Sequence, residues 1–570
     1  MGFKIGEVFK NDEDAIIIDK KKQAMKMMII FSAVIFVVLI ALIIVRSRGD
    51  VDKERREKIT VDMSSLHAAM VLWNQEARAN SDYKYPGMDL NRSGDESAYR
   101  LPINGFEEEY RYGYYYIKPE DYVTKLNARL NFENEDYIVN YNTLDIVNVT
   151  GIKYNSGRYH SYDDLLAIAE IESNPESNVA IPSANTHIIK NAEDMMKLHN
   201  YPNSNFKLAG NIDMSAYSSG KGWEPVKSFT GNFDGRGYTI SNLTIKRPTE
   251  SYIGLFGDIE DGTVRNIVFD NPSVAGEDYT GVLAGTMSGQ VSNVIVNGGN
   301  VGGGDKVGGL IGAHQGDISM CKVDLDIVSG QEQVGGVVGT FNFGSMRQIK
   351  SVVKTINGES AVGGFAGLVS ASNEATLEEC AVTVGLILSQ KEIDKMGSIV
   401  AEATTAPTGI FASEDIGGLI GRVEILNQYA LNMKNCYADG YITEGKVNQG
   451  GIIGKLRVGS SGAVNMDAIY TTIEIPNKNE TTGGCIGESD ASTTARLSAT
   501  YVFWQRKLAQ GESMSDVGTS TTTNRLNFTH KSEQELKIRS TFTDWNFDVW
   551  EMDAYTSRPS LKFEGSFIEY

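Results

Sequence analysis

Histidine and cysteine are the residues of this sequence whose chemistry depends most on spacing. The six histidines are scattered, and none belongs to an H-E-x-x-H pair. The four cysteines show no C-x-x-C spacing of the kind that holds structural zinc. We therefore predict no catalytic, cofactor-binding or metal-ligating residues and no enzymatic activity. The histidines are His67, His160, His187, His199, His314 and His530.

Carboxylates are plentiful, but no motif pairs them. A glycosidase uses two carboxylates on either side of a sugar bond, and a β-helix can carry such a pair, yet nothing here selects two of the 73 acidic residues. The formal net charge of −20 and the pI near 4.9 argue against nucleic acid or anionic lipid as the main partner, because both need a basic face. An acidic surface that keeps an extracellular protein soluble is the simpler interpretation.

A short phrase recurs eight times: usually two glycines, two apolar or small residues, and a further glycine, as in Gly308–Gly312. Measured at the last glycine, successive copies are 28, 27, 27, 28, 54, 33 and 33 residues apart. Such a period indicates stacked repeats. Alternating runs such as Thr263–Phe269 suit strands with one buried face, and we expect the glycines at corners, where φ is positive or neighbouring backbones approach closely. The sequence predicts a mainly β protein built on a β-solenoid.

The cysteines fall on positions that stacking would bring into columns. Cys321, Cys380 and Cys436 occupy the place that Ile267, Val294 and Ile349 hold in other copies. Stacking would separate Cys321 from Cys380 by two coils, roughly 9 to 10 Å, beyond the limit of about 7 Å between disulfide-bonded Cα atoms. Cys380 could meet Cys436 only if the 54-residue step is one coil with a loop. We predict four unpaired, mostly buried thiols, including Cys485 elsewhere on the coil.

The repeated phrases resemble the GLUG-motif repeats of bacterial cell-surface proteins, including the non-catalytic parts of some large secreted peptidases and adhesins. A lead-in over Phe206–Ile240 and a closing segment with Trp545, Trp550 and Arg558–Leu561 resemble the same family. The resemblance covers about residues 186–570. It implies a β-solenoid outside the cell and does not by itself name an activity.

An uninterrupted apolar run of 19 residues, Met27–Val45, predicts a transmembrane helix. At about 1.5 Å per residue it spans roughly 28 Å, close to the hydrocarbon core of a bilayer. Its length and position do not fit a cleaved signal peptide. The resemblance to extracellular repeats implies a single-pass protein with its bulk outside the cell. The Arg48–Asp50 tripeptide, an integrin-binding sequence, would lie too close to the membrane for a receptor to dock.

An apolar stripe follows the membrane segment: Ile59, Met63, Leu66, Met70, Trp73 and Ala77 recur at steps of four and three. The stripe could form the seam of a homodimeric coiled coil or pack on a sheet of the same chain, and β-rich runs near 110–116, 137–141 and 146–149 offer that sheet. We favour the second option. Residues 25–165 resemble type IV pilin-like and pseudopilin proteins, but lack their glycine cleavage site and glutamate.

The predicted organisation is a cytoplasmic tail (1–26), a transmembrane helix (27–45), an extended helix with a small pilin-like α+β domain (46–170), a linker (171–185), the β-solenoid (186–487) and a C-terminal capping region (488–570). Residues 386–413 hold either a degenerate coil or an insertion. The predicted function is a membrane-anchored bacterial cell-surface protein presenting its solenoid for adhesion to a glycan or protein of a host or neighbouring cell. The alternative is a pilin-like component of a pilus or secretion apparatus with helix partners in the membrane.

Overall fold

A computed structural model describes residues 53–73, 85–89, 114–117, 135–141, 144–154, 157–174, 186–385, 408–506, 514–521, 526–553 and 557–567. The predicted membrane segment at 27–45 and the tripeptide at 48–50 lie outside these ranges. Among the residues within them, no helix is both long enough and apolar enough to cross a bilayer. The chain forms two compact units, one that extends to Ile181 and one that holds Pro182–Tyr570.

The N-terminal unit combines helices with a five-stranded sheet in the order β1-β2-β3-β4-β5. Strands β3 and β4, and β4 and β5, pair antiparallel. Ser161 caps the second helix, because its hydroxyl accepts a hydrogen bond from the Asp164 amide at 3.2 Å. The elements are α1 (residues 53–73), β1 (Met88–Asp89), β2 (Tyr114–Ile117), β3 (Tyr137–Asn140), β4 (Asp145–Tyr154), β5 (Gly157–Ser161) and α2 (Tyr162–Ser173).

The apolar stripe of α1 is buried by the chain itself. Ile59, Met63, Leu66 and Met70 are each at most 1% exposed. Polar contacts fix the helix against the rest of its unit: the Arg55 Nε donates to Glu135 at 2.6 Å. The intramolecular option therefore accounts for the stripe, whose Ala77 lies outside the described residues.

The larger unit is a β-solenoid of about ten turns. Between its described residues the coils pair in parallel, and the isolated bridge Gly222–Ile245 is antiparallel. The β-solenoid prediction is confirmed. Its strands are β6 (Thr186–Ile189), β7 (Asn205–Leu208), β8 (Ile212–Asp213), β9 (Asn232–Asp234), β10 (Thr239–Ser241), β11 (Thr244–Lys246), β12 (Phe256–Ile259), β13 (Thr263–Asp270), β14 (Ser273–Ala275), β15 (Ala284–Met287), β16 (Gln290–Asn297), β17 (Asn300–Gly302), β18 (Val307–Gly308), β19 (Ile311–Ser329), β20 (Glu332–Gly335), β21 (Val338–Asn357), β22 (Ser360–Gly363), β23 (Ala366–Ser370), β24 (Ala375–Val384), β25 (Gly409–Phe411), β26 (Glu414–Gly417), β27 (Ile420–Ile425), β28 (Ala430–Gly440), β29 (Ile442–Glu444), β30 (Val447–Gly450), β31 (Ile453–Val458), β32 (Ala463–Thr471), β33 (Thr482–Ala491), β34 (Arg496–Gln505), β35 (Ser515–Ser520) and β36 (Phe528–Lys531). A short helix α3 (Lys197–Asn200) lies between β6 and β7.

Columns of apolar side chains form the solenoid core. Parallel pairing in register places equivalent residues of successive coils directly above one another, so each column buries one side chain per coil. Burying each such side chain contributes about 1.5 to 3 kcal/mol. One column, with every member at most 2% exposed, is Phe233, Val264, Val291, Ile318, Met346, Leu377, Met433 and Met466.

The repeated glycines are explained by contact between coils. A Cβ on Gly309 would lie 2.2 Å from the Gly336 carbonyl oxygen, and one on Gly336 would lie 2.1 Å from that of Gly364. Gly364, Gly418 and Gly451 meet the next coil in the same way. The predicted close approach of neighbouring backbones is confirmed at these glycines, none of which has a positive φ. The left-handed positions belong to other residues, which are mostly not glycine.

The 54-residue step is one coil with an insertion. β24 pairs directly with β28, and β21 pairs with β24 over Gly344–Val353 and with β25 over Thr355–Asn357. The coil therefore leaves its path after Gly385 and resumes at Thr408, with residues 386–407 outside the described part of the chain. This arrangement makes Cys380 and Cys436 neighbours in adjacent strands.

The parallel strands continue past residue 487, the predicted end of the solenoid, through β34, β35 and β36. Residues 532–553 and 557–567, which we call the C-terminal clasp, then lie along the side of the solenoid. The clasp contains β37 (Trp550–Glu551) and β38 (Ser560–Leu561), which pair antiparallel. Its buried residues Leu536, Phe542, Trp545, Trp550 and Leu561 pack on an outward column of Ala381, Tyr437, Tyr470 and Phe503.

Polar contacts fasten the clasp to several coils. The Glu564 carboxylate accepts from the Lys350 amino group at 2.6 Å and from the Tyr437 hydroxyl at 2.9 Å. The Tyr470 hydroxyl donates to the Pro559 carbonyl at 2.6 Å. Because Lys350, Tyr437 and Tyr470 belong to different coils, the clasp ties coils together lengthwise.

Candidate functional site

One corner of the solenoid carries a column of non-glycine residues in the left-handed conformation. Tyr252, Tyr279, Lys306 and Gln333 have φ values of 64°, 55°, 58° and 60°. The residues that directly follow them, Ile253, Thr280, Val307 and Val334, pair with one another from coil to coil. Because this backbone conformation recurs at the same place in each coil, the side chains of successive members project alongside one another.

Aromatic stacking results at the N-terminal end of this column. The Tyr252 and Tyr279 rings have centroids 4.8 Å apart and planes within 6° of parallel. The Lys306 Nζ lies 4.2 Å from the Tyr279 ring centroid and donates to the Tyr279 hydroxyl at 2.8 Å. A cation over a ring face gains roughly 0.5 to 1 kcal/mol at an exposed site. We call Tyr252, Tyr279 and Lys306 the tyrosine stack.

A cleft of about 380 Å³ opens where the tyrosine stack ends. Tyr252 lines it and is 50% exposed, although Tyr279 covers one face of its ring. The preceding coil supplies Glu224, Pro225 and Lys227 to the wall. The coils of Tyr252 and Tyr279 supply Glu250, Ser251, Ile253, Gly257, Asp258 and Thr286. We call this space the Tyr252 cleft.

The carboxylates of the Tyr252 cleft differ in their surroundings. Partial burial raises the pKa of Asp258, and the charge of Glu260 adds to the effect, while a 2.6 Å hydrogen bond from the Thr286 hydroxyl opposes it. Hydrogen bonds from Lys221 and Arg247 lower the pKa of Glu250. Glu250 is therefore held as a carboxylate by two cations, whereas Asp258 has a neutral hydroxyl as its hydrogen-bond partner.

A second left-handed column, at the corner before the cysteine positions, has a structural role. Asn266 and Asn293 have φ values of 58° and 52°, and the Asn293 amide donates to the Asn266 side chain at 3.0 Å. Asn266 in turn donates to Asp234 at 2.9 Å. Stacked amides of this kind satisfy one another's hydrogen-bonding groups between coils.

The histidines do not assemble into a site. Within the described ranges, no group of three or more His, Cys, Asp or Glu side chains could hold a metal ion. His314 is fully buried, stacks on Phe341 with ring centroids 5.2 Å apart, and belongs to the core. His187 stacks on Tyr201, and His199 bonds the Glu224 carbonyl at 2.9 Å.

The four cysteines are free and buried, as predicted. Cys321 pairs with Ile349, Ile349 with Cys380, and Cys380 with Cys436, which confirms the predicted column. Burial raises the pKa of the Cys321 thiol to about 12 and that of Cys485 well above its usual value. Thiols in this state react poorly, so they act as small apolar side chains.

The tyrosine stack was not predicted from the sequence. A signal exists, because Tyr252, Tyr279 and Lys306 precede corresponding glycines of three successive copies at spacings of 27 residues. Aligning the copies at their glycines would have placed the two tyrosines in one column.

Comparison with known proteins gives short, local similarities. No family model matches the chain. An 80-residue stretch, 13% of this chain, is 42% identical to 1% of Halomucin from Haloquadratum walsbyi. A 92-residue stretch, 15% of this chain, is 39% identical to 11% of a protein described as a Gly-rich membrane protein from Evansella cellulosilytica. The chain thus spans a small part of either relative.

Among solved structures, an IgA1 protease aligns over 56% of this chain and 21% of its own, with a TM-score of 0.27 and 12% identity. A likeness at this level does not bear on activity. The site is therefore defined by its own geometry: a stacked aromatic corner that ends in an open, acidic cleft.

Proposed function

We propose that this protein is a membrane-anchored bacterial cell-surface protein whose β-solenoid binds a glycan or protein of a host or neighbouring cell. The Tyr252 cleft is the observation that carries the proposal, since a concave site with an aromatic wall and a few polar groups suits ligand binding. The acidic composition fits an exposed, soluble surface.

The anchor and the location belong to the same proposal. The apolar run Met27–Val45 supports a single-pass anchor with residues 46–570 outside the cell. The name of the Evansella relative, a membrane protein, agrees with that location over the matched stretch. Membership of the GLUG-motif repeat family is likewise proposed, on the eight glycine phrases and their contact between coils.

A binding role is favoured over catalysis. Glu250 already accepts hydrogen bonds from Lys221 and Arg247, and these two cations make it a weaker base and nucleophile towards a substrate. The proposal includes no cofactor, no metal and no nucleic-acid partner.

The first prediction tests adhesion directly. Cells that display the full-length protein should adhere to at least one surface in a panel of glycans, matrix proteins and bacterial cells, and cells without it should not. Protease added to intact cells should remove both the solenoid and the adhesion. Equal adhesion by both cell types across the panel would contradict a binding role.

A pilin-like component is the second candidate. The packing of α1 on an antiparallel sheet supports it, because an α+β unit behind a membrane helix is the arrangement that the resemblance implies. The two candidates differ in their helix contacts. Cysteine crosslinking within residues 27–58 should join copies in a filament component and leave an adhesion protein uncrosslinked.

A further inference from the structure

We propose that the Tyr252 cleft binds a pyranose ring of a glycan that carries no negative charge, stacked on the Tyr252 ring. This inference rests on the proposed binding function and names the class of ligand and the residue on which it stacks.

The cleft lies at the end of the tyrosine stack, where the preceding coil takes a shorter path. Val226 pairs with Phe256, and four residues earlier Gly222 bridges to Ile245, which lies eleven residues before Phe256. The preceding coil therefore turns this corner in fewer residues than the coil of Tyr252. The space beside Tyr252 is lined there by Glu224 and Pro225.

A flat group can occupy this space at the stacking distance. The ring centroids of Tyr279 and Tyr252 are 4.8 Å apart, and the Lys306 amino group lies over the Tyr279 ring. The stack therefore already packs one ring against another and a cation against a ring. An aromatic face carries negative partial charge, and the C–H bonds on one face of a pyranose carry positive partial charge. A sugar ring can thus pack on Tyr252 as Tyr252 packs on Tyr279.

Polar groups around the ring suit hydroxyl recognition. Asp258 and Thr286 line the cleft together and are linked by a 2.6 Å hydrogen bond, and a carboxylate has about four acceptor sites, so Asp258 can also accept from a ligand. Glu224 and Lys227 add an acceptor and a donor on the opposite coil. The volume of about 380 Å³ is at the small end of ligand sites, enough for one or two sugar units.

Charge selects among sugars. The cleft holds the carboxyl groups of Glu224, Glu250 and Asp258, and Lys227 is the cation that lines it. Glu250 is paired outside the cleft by Lys221 and Arg247. A sialic or uronic acid would bring another carboxylate next to Glu224 and Asp258, so neutral and amino sugars should be preferred.

The experiment presents immobilised full-length protein with neutral hexoses, N-acetylhexosamines, amino hexoses, uronic acids and sialic acid on one array, and compares variants. Tyr252→Ala should weaken binding of an uncharged or amino sugar about tenfold or more, while Tyr252→Trp should keep it because the platform remains. Tyr501→Ala is the matched control: Tyr501 is also left-handed, with φ 52°, and is 42% exposed. Asp258→Asn should reduce affinity without changing the melting temperature.

Three results would overturn the inference: binding unchanged in Tyr252→Ala, binding restricted to acidic sugars, or binding of a protein ligand with no sugar bound. In each of these the adhesion proposal still stands, because the chain binds a ligand elsewhere or of another class. Absence of binding to every sugar, protein and cell tested would overturn both proposals together.

Discussion

At the scale of single residues, corners of the solenoid are occupied by residues that do not favour the left-handed backbone conformation found there. Tyr252, Met320 and Ala361 have φ values of 64°, 54° and 55°, a region that ordinary L-residues avoid at a cost of about 1 to 2 kcal/mol. The hydrogen bonds and packing of the coils offset that cost. Local propensity therefore did not reveal these positions, whereas the buried cysteine column followed from spacing alone.

His314 is the residue whose burial is expected to affect stability with pH. It is 0% exposed, and neither ring nitrogen makes a hydrogen bond of good geometry to another described residue. Burial lowers the pKa of His314 to about 3. The unfolded chain takes up a proton near pH 6.5 while the folded one does not, so this residue lowers the free energy of unfolding as pH falls from about 6.5 towards 3.

The second prediction follows from that sign. When the pH falls from 7 to 4.5, the free energy of unfolding should decrease by roughly 2 to 3 kcal/mol less in His314→Leu than in the parent protein, because leucine has no proton to gain. Urea denaturation at both pH values measures the difference. His530→Leu, which changes an exposed histidine of strand β36, should follow the parent closely. Identical pH dependence of the parent and His314→Leu would contradict the assignment.

At the scale of elements, the repeat period was sufficient to predict the solenoid, and the glycine phrases were sufficient to place its close contacts. The reason for the glycines was not deducible, since close approach and positive φ both favour glycine in a sequence. The unusual length of strands β19 and β21, 19 and 20 residues, was also not predicted from the sequence. They bend at Gly316 and Gly344, with φ values of 135° and 101°, without ending.

The third prediction concerns the contact between coils. Gly336→Ala should destabilise the solenoid by about 2 to 4 kcal/mol, because its Cβ would lie 2.1 Å from the backbone oxygen of Gly364, which cannot move without separating two coils. Gly210→Ala is the control, since nothing lies within 4 Å of its Cβ and its φ is ordinary. Chemical denaturation measures both. Equal stability of the two variants would refute steric contact as the reason for the glycine.

At the scale of the whole molecule, the family resemblance predicted a closing segment at the C-terminus, but it did not predict where the C-terminal clasp packs. Tyr437, Tyr470 and Phe503 alternate with buried residues along their strands, a pattern that indicates outward side chains facing solvent. The structure covers them with Trp545 and Trp550 from far along the chain. A contact between distant segments leaves no periodic signal in either one.

The fourth prediction tests whether the clasp couples the coils. Trp550 is fully buried and its Nε1 donates to Asn435 at 3.1 Å, so Trp550→Ala should remove about 3 to 5 kcal/mol of local stability. Hydrogen exchange should accelerate in the coils of residues 430–505 and stay unchanged at 233–320, because each coil contacts only its neighbours. Phe563→Ala, at a partly buried position of the clasp, should have a smaller effect. Uniform acceleration along the solenoid would contradict this.

The lengthwise path of the clasp has a mechanical consequence. Hydrogen bonds between coils run along the stacking direction, so a pull in that direction loads each coil interface in turn, and the weakest opens first. Between the coils of Lys350 and Phe503, the clasp spans the coil interfaces and shares the load with those hydrogen bonds. A pull along the stacking direction would therefore open the unclasped coils, those before residue 350, while the clasped coils bear the load intact.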